Sequence, residues 1–199
     1  MNSPVPRPHG PELGRLTVLA GPTAVGKGTI AAYVRTHFPG VFFSVSMTTR
    51  APRPGEVDGV HYHFVDDQEF DRLVEAGEFL EHAVVHGVAQ YGTPRGPVER
   101  AIRQGRDALL EIDLQGARQV RETWPDALFV FLAPPSWDEL VRRLVGRGTE
   151  DEPERERRLS TARAELSAQA EFDKVIVNDD VRRASEELVS LMRSGRAVG

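Results

Sequence analysis

The sequence contains no cysteine. This absence excludes disulfide bonds, thiolate metal sites and a cysteine nucleophile, and it is typical of proteins from a reducing compartment. No apolar run approaches the roughly 18 residues that cross a bilayer. The first 14 residues lack the apolar core of a signal peptide and are rich in proline and glycine. We therefore expect a cytoplasmic protein without a membrane segment, with residues 1–14 as a loose tail.

Aromatic residues and lysines are also scarce. Aromatic side chains make up only 7% of the 199 residues, so a core of Val, Leu, Ile and Ala is expected within a single domain. The formal net charge of −5 argues against a nucleic-acid-binding surface. Lysine occurs only at positions 27 and 174, and every other basic residue is an arginine. The planar guanidinium of arginine suits paired contacts with phosphate oxygens.

Apolar runs and helical patterns alternate along most of the chain. Four short runs favour strands: residues 16–20, which read as a buried parallel strand, and residues 108–112, 128–133 and 174–177. Helical patterns follow at residues 29–37, 97–104, 137–145, 153–169 and 184–192, and Ser136 with Glu139 forms a capping box. Between residues 41 and 93, strand-like pieces surround one helix, from about Asp66 to Gly77. This alternation predicts a parallel sheet covered by helices on both faces.

A glycine-rich loop follows the first predicted strand and precedes a helix. It fits the pattern G-x-x-x-x-G-K, in which backbone N–H groups surround a phosphate and the lysine reaches the terminal phosphates. The position after the lysine is usually a Ser or Thr that binds Mg²⁺, but here it is Gly28. We predict ATP binding by Gly21, Pro22, Thr23, Ala24, Val25, Gly26, Lys27, Gly28 and Thr29.

Further motifs suggest the second substrate. Residues 46–56 read Ser-Met-Thr-Thr-Arg-Ala-Pro-Arg-Pro-Gly-Glu, and residues 59–64 read Gly-Val-His-Tyr-His-Phe. Residues 77–81, 91–93, 111–116, 131–136, 146–149 and 177–179 add shorter matches in the same order. Together they closely resemble the guanylate kinases, over about residues 15–192. The resemblance implies Mg²⁺-dependent transfer of the γ-phosphoryl group of ATP to GMP or dGMP, in purine metabolism.

The resemblance also implies a role for individual side chains. The phosphate of GMP would be held by Arg50, Arg53, Tyr62 and Tyr91. Glu81 would accept hydrogen bonds from N1–H and the 2-amino group of guanine, which adenine does not offer in that arrangement. The hydroxyls of Ser46 and Thr93 would complete the contact with the base. Asp113, at the end of a strand, would help place GMP and Mg²⁺.

The same resemblance implies which basic residues would contact the phosphoryl group during its transfer. Lys27, Arg143 and Arg158 would contact it, and Arg147 would help to hold ATP. Asn178 matches a segment near the adenine of ATP. His82 departs from the family pattern, because many relatives have Trp there, and this change can alter closure around GMP.

The implied fold is α/β: a P-loop NTPase-type parallel sheet core, a small mixed α/β lobe for GMP and a helical lid. We expect the core at residues 15–43, 96–136 and 170–199, the GMP-binding lobe at 44–95 and the lid at 137–169. ATP and GMP are the expected partners. Neither nucleic acid, nor a membrane, nor an obligate protein partner is expected.

Other interpretations remain open. Arg50 and Arg53 could be ordinary surface arginines, and Tyr62 a half-buried strand residue. His61 and His63 alternate on a strand without a third ligand nearby, which argues against a metal site. A related scaffold domain would bind peptides instead of catalysing a reaction, but such domains usually lose the phosphate loop. A kinase of the same shape for a ribose bisphosphate would have no use for Glu81.

Overall fold

A computed structural model of the chain describes residues 13–85, 89–145 and 152–194. Its strands are β1 (Leu16–Ala20), β2 (Phe42–Phe43), β3 (Met47–Thr48), β4 (His63–Phe64), β5 (Phe79–Val85), β6 (Ala89–Pro94), β7 (Ala108–Glu111), β8 (Leu128–Ala133) and β9 (Lys174–Val177). Its helices are α1 (Lys27–His37), α2 (Asp67–Glu75), α3 (Arg95–Arg103), α4 (Leu114–Thr123), α5 (Trp137–Val145), α6 (Glu152–Ser167) and α7 (Val181–Ser194). A 3-10 turn, Ala168–Glu171, follows α6.

Five strands form a parallel sheet in the order β2-β7-β1-β8-β9. Strand β1 lies at its centre and is buried along its whole length. Leu16 and Val18 pack into one apolar cluster with α3 and α4, whereas Leu19 packs into a second with α1 and α7. Both faces of the sheet are therefore covered, and the predicted α/β fold class is confirmed.

The order of the strands reverses beside β1, because β7 lies on one side of it and β8 on the other. In open parallel sheets, ligands bind at the carboxyl ends of the strands where such a reversal occurs. The loop after β1, the segment after β7 and Asn178 after β9 all lie at this edge. The topology therefore puts the glycine-rich loop in a natural binding position.

A second sheet of four short strands has the order β4-β3-β6-β5. Strand β6 is antiparallel to β5, with Thr93 opposite Glu81 and Tyr91 opposite Ala83. Because side chains alternate along a strand, Tyr91 and Thr93 share one face of this sheet. Helix α4 packs against β5 and so joins the two sheets.

Helices α5 and α6 pack on each other through Leu140, Leu144, Leu159 and Ala162. Half of the predicted capping box is present, since the backbone N–H of Glu139 donates to Oγ of Ser136 over 3.2 Å. The carboxylate of Glu139 accepts from Arg143 over 2.9 Å instead of completing the box. Arg147 and the matched segment 146–149 lie outside the described residues, as do residues 1–12 of the expected tail. None of the helices in the described ranges is both long enough and apolar enough to cross a membrane.

Four helices begin before their predicted starts, including α3 at Arg95 and α6 at Glu152, and one helix was not predicted. Helix α1 begins at Lys27 rather than at residue 29, directly after the glycine loop. Helix α7 runs over Val181–Ser194 rather than 184–192. Helix α4 was missed in the sequence, where Gly116 in its first turn weakens the helical pattern.

Candidate active site

The loop between β1 and α1, residues 21–29, is called the phosphate loop below. Gly21, Ala24 and Gly26 have positive φ angles of 155°, 65° and 100°. A Cβ atom on Gly21 would lie 2.4 Å from the carbonyl oxygen of Leu132, and one on Gly26 would lie 2.6 Å from Nδ2 of Asn178. Only glycine fits these two positions, because neighbouring atoms occupy the space of any side chain.

Side chains from distant elements brace the phosphate loop. Nδ2 of Asn178 donates to the carbonyl oxygen of Val25 over 2.8 Å, and Nη1 of Arg143 donates to the same oxygen over 3.2 Å. On the other side, Oε2 of Glu165 accepts from the backbone N–H of Thr23 over 3.0 Å. Both helices α5 and α6 therefore contact the loop directly. Glu165 was not singled out in the sequence, because its position in a charged helix gives no signal of its own.

Lys27 opens helix α1 and folds back over the loop. Its Nζ donates to the carbonyl oxygens of Gly21 and Pro22 over 2.6 and 3.2 Å. Burial lowers the pKa of Lys27, and the carboxylates of Glu165, Glu111 and Asp113 oppose that shift. The ammonium group therefore lies inside the loop with three negative groups around it.

The segment after β7 supplies two of those carboxylates. Burial raises the pKa of Glu111, while Lys27 and Arg35 oppose the shift. Asp113 is the N-cap of α4 and accepts from the backbone N–H of Gly116 over 2.7 Å. The sequence analysis selected Asp113 and missed Glu111. Glu111 could have been found from its position in the sheet, because it is the last residue of β7 and its charge acts on Lys27.

Glu81 and Thr93 face each other across β5 and β6. Oγ1 of Thr93 donates to Oε1 of Glu81 over 2.5 Å. Burial raises the pKa of Glu81; the bond from Thr93 opposes the shift, and the nearby charge of Asp113 adds to it. A Cβ atom on Gly116 would lie 3.2 Å from Oε2 of Glu81. Glu81 is therefore a desolvated carboxylate packed closely on the first turn of α4.

Arg50 lies on the same sheet face as this pair, next to Tyr91. Its Nε donates to Oη of Tyr91 over 2.9 Å, and its Nη1 and Nη2 donate to the two carboxylate oxygens of Glu56 over 2.6 and 2.7 Å. The guanidinium carbon lies 4.9 Å from the ring centroid of Tyr62. Arg53 belongs to the adjoining turn, and its backbone N–H donates to Glu56 over 2.7 Å.

Ser46, Tyr62, Thr93 and Glu111 line an open cleft of about 230 Å³. Glu81 adjoins the cleft through its contact with Thr93, and Arg50 and Tyr91 adjoin it through Tyr62. The name acceptor cleft is used below for the cleft and its side chains Ser46, Arg50, Tyr62, Glu81, Tyr91 and Thr93. Six of the predicted residues are thus brought together by contacts or by a shared cavity. Arg158 lies exposed on α6, and Arg147 falls outside the described residues.

Comparisons with known proteins agree with this geometry. A family model described as guanylate kinase matches residues 13–195. The chain is 63% identical over 177 residues to a guanylate kinase of Leifsonia xyli subsp. xyli, covering 89% of this chain and 70% of the relative. It is 62% identical over 177 residues to a guanylate kinase of Frankia casuarinae, covering 89% of this chain and 96% of that one.

A solved structure supports the same assignment. The crystal structure of guanylate kinase from Anaplasma phagocytophilum superposes with a TM-score of 0.72 at 36% identity, covering 94% of this chain and 88% of that chain. The family model, the relatives and the solved structure all span most of the chain. The chain belongs to the guanylate kinase family.

Proposed function

We propose that this protein transfers the γ-phosphoryl group of ATP to GMP or dGMP, producing ADP and the nucleoside diphosphate. The observation that carries the proposal is the acceptor cleft, in which a desolvated carboxylate, Glu81, and an arginine, Arg50, lie on one face of one sheet. Tyr91 and Thr93, two residues apart on β6, connect the two ends. A purine monophosphate has a base at one end, which would meet Glu81, and a phosphate at the other, which would meet Arg50.

The chemistry of Glu81 favours guanine over adenine. An ionised carboxylate only accepts hydrogen bonds, and guanine presents two adjacent donors, N1–H and the 2-amino group. Adenine has an unprotonated N1 in that place, so a buried acceptor would face another acceptor. Such a mismatch can reject the wrong ligand by about 10⁴-fold. Thr93 already donates to one oxygen of Glu81 and so fixes the orientation of the carboxylate.

The other end of the cleft has the groups that a phosphate needs. Arg50 provides a fixed positive charge, and Tyr91 accepts a hydrogen bond from Arg50, which leaves the hydroxyl hydrogen of Tyr91 free to donate. Tyr62 and Arg53 belong to the same end of the cleft in this proposal, and Ser46 to the base end. In phosphoryl transfer a protein mainly positions the groups and neutralises charge. An acceptor held at both ends fits that task.

On the donor side, the phosphate loop holds the phosphates of ATP, and Lys27, Arg143 and Arg158 meet the transferring group. Arg147 and Asn178 remain proposed contacts of ATP, although the amide of Asn178 also braces the loop through Val25. Residues 137–169 would act as a lid and residues 44–95 as the GMP-binding lobe, around a core of residues 15–43, 96–136 and 170–199. Their closure would exclude water, which competes with GMP as acceptor. A cytoplasmic location remains part of the proposal.

The residues beside the phosphate loop fit a magnesium ion that binds together with ATP. Within the described ranges, no group of three or more His, Cys, Asp or Glu residues could hold a metal by itself. A Cβ atom on Gly28 would lie 3.5 Å from Oε1 of Glu111, so this carboxylate lies beside the position where such loops usually have a Ser or Thr that binds Mg²⁺. Glu111 and Asp113 would hold the ion, together with ATP oxygens and water. Bound Mg²⁺ neutralises charge on the phosphates.

An assay of ADP release tests this proposal. With ATP and Mg²⁺, we expect turnover with GMP and dGMP, and a kcat/KM with AMP that is lower by about 10³-fold or more. Equal rates with AMP and GMP would contradict the role of Glu81. Turnover of a ribose bisphosphate in place of GMP would favour the rival kinase, and binding of ATP and GMP without turnover would favour a binding domain.

A further inference from the structure

Arg50 already uses most of its N–H donors in hydrogen bonds within the protein. A guanidinium has five N–H donors. Its Nε donates to Tyr91, its Nη1 donates to the carbonyl oxygen of Ala51 and to Glu56, and its Nη2 donates to Glu56. Within the described residues, these four bonds leave one N–H, on Nη2. Two parallel bonds from Arg50 to a phosphate therefore require that either Glu56 or the hydroxyl of Tyr91 gives up its bond to the guanidinium.

Glu56 is itself held from more than one side. Its Oε2 accepts from the backbone N–H of Arg53 over 2.7 Å, and its own backbone N–H donates to the carbonyl oxygen of Arg53 over 3.0 Å. The bonds from Arg50, and then the bond from Arg53, lower the pKa of Glu56 to about 2. One carboxylate thus connects Arg50 with the turn that carries Arg53.

The pair of Arg50 and Glu56 is less exposed to solvent than the ion pair on α2. The side chains of Arg50 and Glu56 are 15% and 18% exposed, whereas Arg72 and Glu69 on α2 are 63% and 43% exposed. The guanidinium of Arg50 also lies near the rings of Tyr62 and Phe64, at 4.9 and 5.7 Å from their centroids. Rings on one side and Glu56 on another leave the guanidinium little freedom to rotate.

We propose that Glu56 is a positioning residue for the acceptor phosphate: it fixes Arg50 and the turn of Arg53 in the orientation that receives the 5′-phosphate, without contacting GMP itself. This inference rests on the proposed function. The phosphate would meet the remaining N–H of Arg50, the hydroxyl of Tyr91 and the side chain of Arg53. Groups that are already ordered lose less conformational entropy when the ligand binds.

A carboxylate at this place has a second possible use, and the two uses predict opposite results. If Glu56 only occupied Arg50 until the phosphate displaced it, removing its charge would free Arg50 and tighten the binding of GMP. If Glu56 positions Arg50, removing its charge lets the guanidinium rotate and weakens binding. The bond from the backbone of Arg53 favours positioning, because that bond does not depend on Arg50.

The test uses the full chain with Glu56→Gln, and initial rates are measured against GMP and against ATP. Misplacement of a binding group can cost up to about 100-fold, so we expect the KM for GMP to rise by about 10- to 100-fold. The KM for ATP should not change. Glu56→Asp keeps the charge and should recover part of the loss. Glu69→Gln, which breaks the exposed pair with Arg72, is the matched control and should leave both constants unchanged.

Calorimetric binding of guanosine, which lacks the phosphate, separates positioning from a general loss of structure. Glu56→Gln should weaken GMP and leave guanosine and the thermal midpoint unchanged. If Glu56→Gln leaves the KM for GMP unchanged or lowers it, the inference is overturned. It is also overturned if Glu56→Gln and Glu56→Asp both lose affinity for guanosine to the same extent. If the unmodified protein binds no GMP, the proposed function fails and this inference fails with it. Normal GMP binding in both the unmodified protein and Glu56→Gln overturns this inference alone.

Discussion

The phosphate loop and the acceptor cleft, which are both proposed to receive phosphate-bearing ligands, are built in different ways. The loop is built from backbone, with positive φ angles at Gly21, Ala24 and Gly26 and a single charged side chain, Lys27, folded over it. The cleft is built from side chains that bond one another, such as Arg50 with Tyr91 and Thr93 with Glu81. Substitutions that add a side chain should therefore disturb the loop. Substitutions that change a charged or polar group should disturb the cleft.

The two ends of the cleft also differ from each other. Glu56 is paired with a cation, and this pairing lowers its pKa to about 2. Glu81 has no such partner among its described contacts, and burial raises its pKa. The proposed phosphate end is thus ordered by ion pairing, whereas the proposed base end holds a desolvated carboxylate that Thr93 orients and whose remaining acceptor sites would be filled by the ligand. Specificity for the base should therefore depend on Glu81 more than on the arginines.

The largest expected effect is loss of the only charged side chain of the phosphate loop. Lys27→Ala should lower kcat by about 10²- to 10³-fold with every acceptor, because removal of one group that stabilises the transferring charge has this size of effect. Initial-rate measurements with GMP and dGMP check it. Lys174→Ala removes the other lysine of the chain, which is exposed on β9, and should leave turnover unchanged. A Lys27→Ala variant with normal turnover would contradict the assignment of the loop.

The next effect concerns the base end of the cleft. Glu81→Gln keeps the size of the side chain but removes the charge and one acceptor, so the ratio of kcat/KM for GMP to that for AMP should fall by about 100-fold or more. Competing GMP and AMP in one reaction measures this ratio directly. Glu78→Gln, an exposed change three residues earlier, is the matched control. A ratio that stays constant in Glu81→Gln would show that another group reads the base.

A smaller effect is expected from one added methyl group in the loop. Gly26 has φ of 100°, and its Cβ would lie 2.6 Å from Nδ2 of Asn178. Gly26→Ala strains the backbone by about 1–2 kcal/mol, which corresponds to a fall in the thermal midpoint of about 2–8 °C. The KM for ATP should also rise, because the bond from Asn178 to Val25 must move.

Gly40→Ala is the control for that variant. Gly40 lies in an exposed turn, and a Cβ atom there would meet no atom within 4 Å. Its thermal midpoint and its KM for ATP should match those of the unmodified protein. Equal stability of Gly26→Ala and Gly40→Ala would show that the loop tolerates a side chain at position 26.

The smallest effect is a pH dependence of base binding. Guanine needs the ionised form of Glu81, and burial raises the pKa of Glu81, so affinity for guanosine should fall as pH decreases through that raised pKa. Guanosine lacks a phosphate, which would titrate in the same range. The stability of the protein should change with pH in the opposite direction. Protonated Glu81 contributes most to the free energy of unfolding at low pH, and this contribution is lost as pH rises through its raised pKa. Calorimetry should find the decrease in affinity in the unmodified protein and not in Glu81→Gln.

The sequence predicted those features that have a local pattern. The glycine-lysine loop, the strands of the parallel sheet and the cap of Ser136 on α5 each depend on neighbouring residues, and the structure contains all three. Helix α4 was missed because Gly116 looks unfavourable in a helix. The structure gives the reason for this glycine: a Cβ atom there would approach Oε2 of Glu81 to 3.2 Å.

Three carboxylates of the site had no local signal. Glu56 contacts Arg50 within one motif, but nothing in the spacing indicates that it takes both terminal nitrogens of the guanidinium. Glu111 contributes through its position opposite Lys27, and Glu165 reaches Thr23 from 142 residues away. Contacts of this kind depend on how the sheets and helices pack. The resemblance to a family indicated the residues that would touch substrate, and the structure added those that hold them.

The most direct test of the account is a crystal structure of the protein with GMP bound. The account predicts that the carboxylate of Glu81 accepts hydrogen bonds from N1–H and the 2-amino group of guanine, while the phosphate lies against Arg50 and the hydroxyl of Tyr91. A guanine ring placed away from Glu81, or a GMP phosphate bound at Lys27 instead of Arg50, would contradict it.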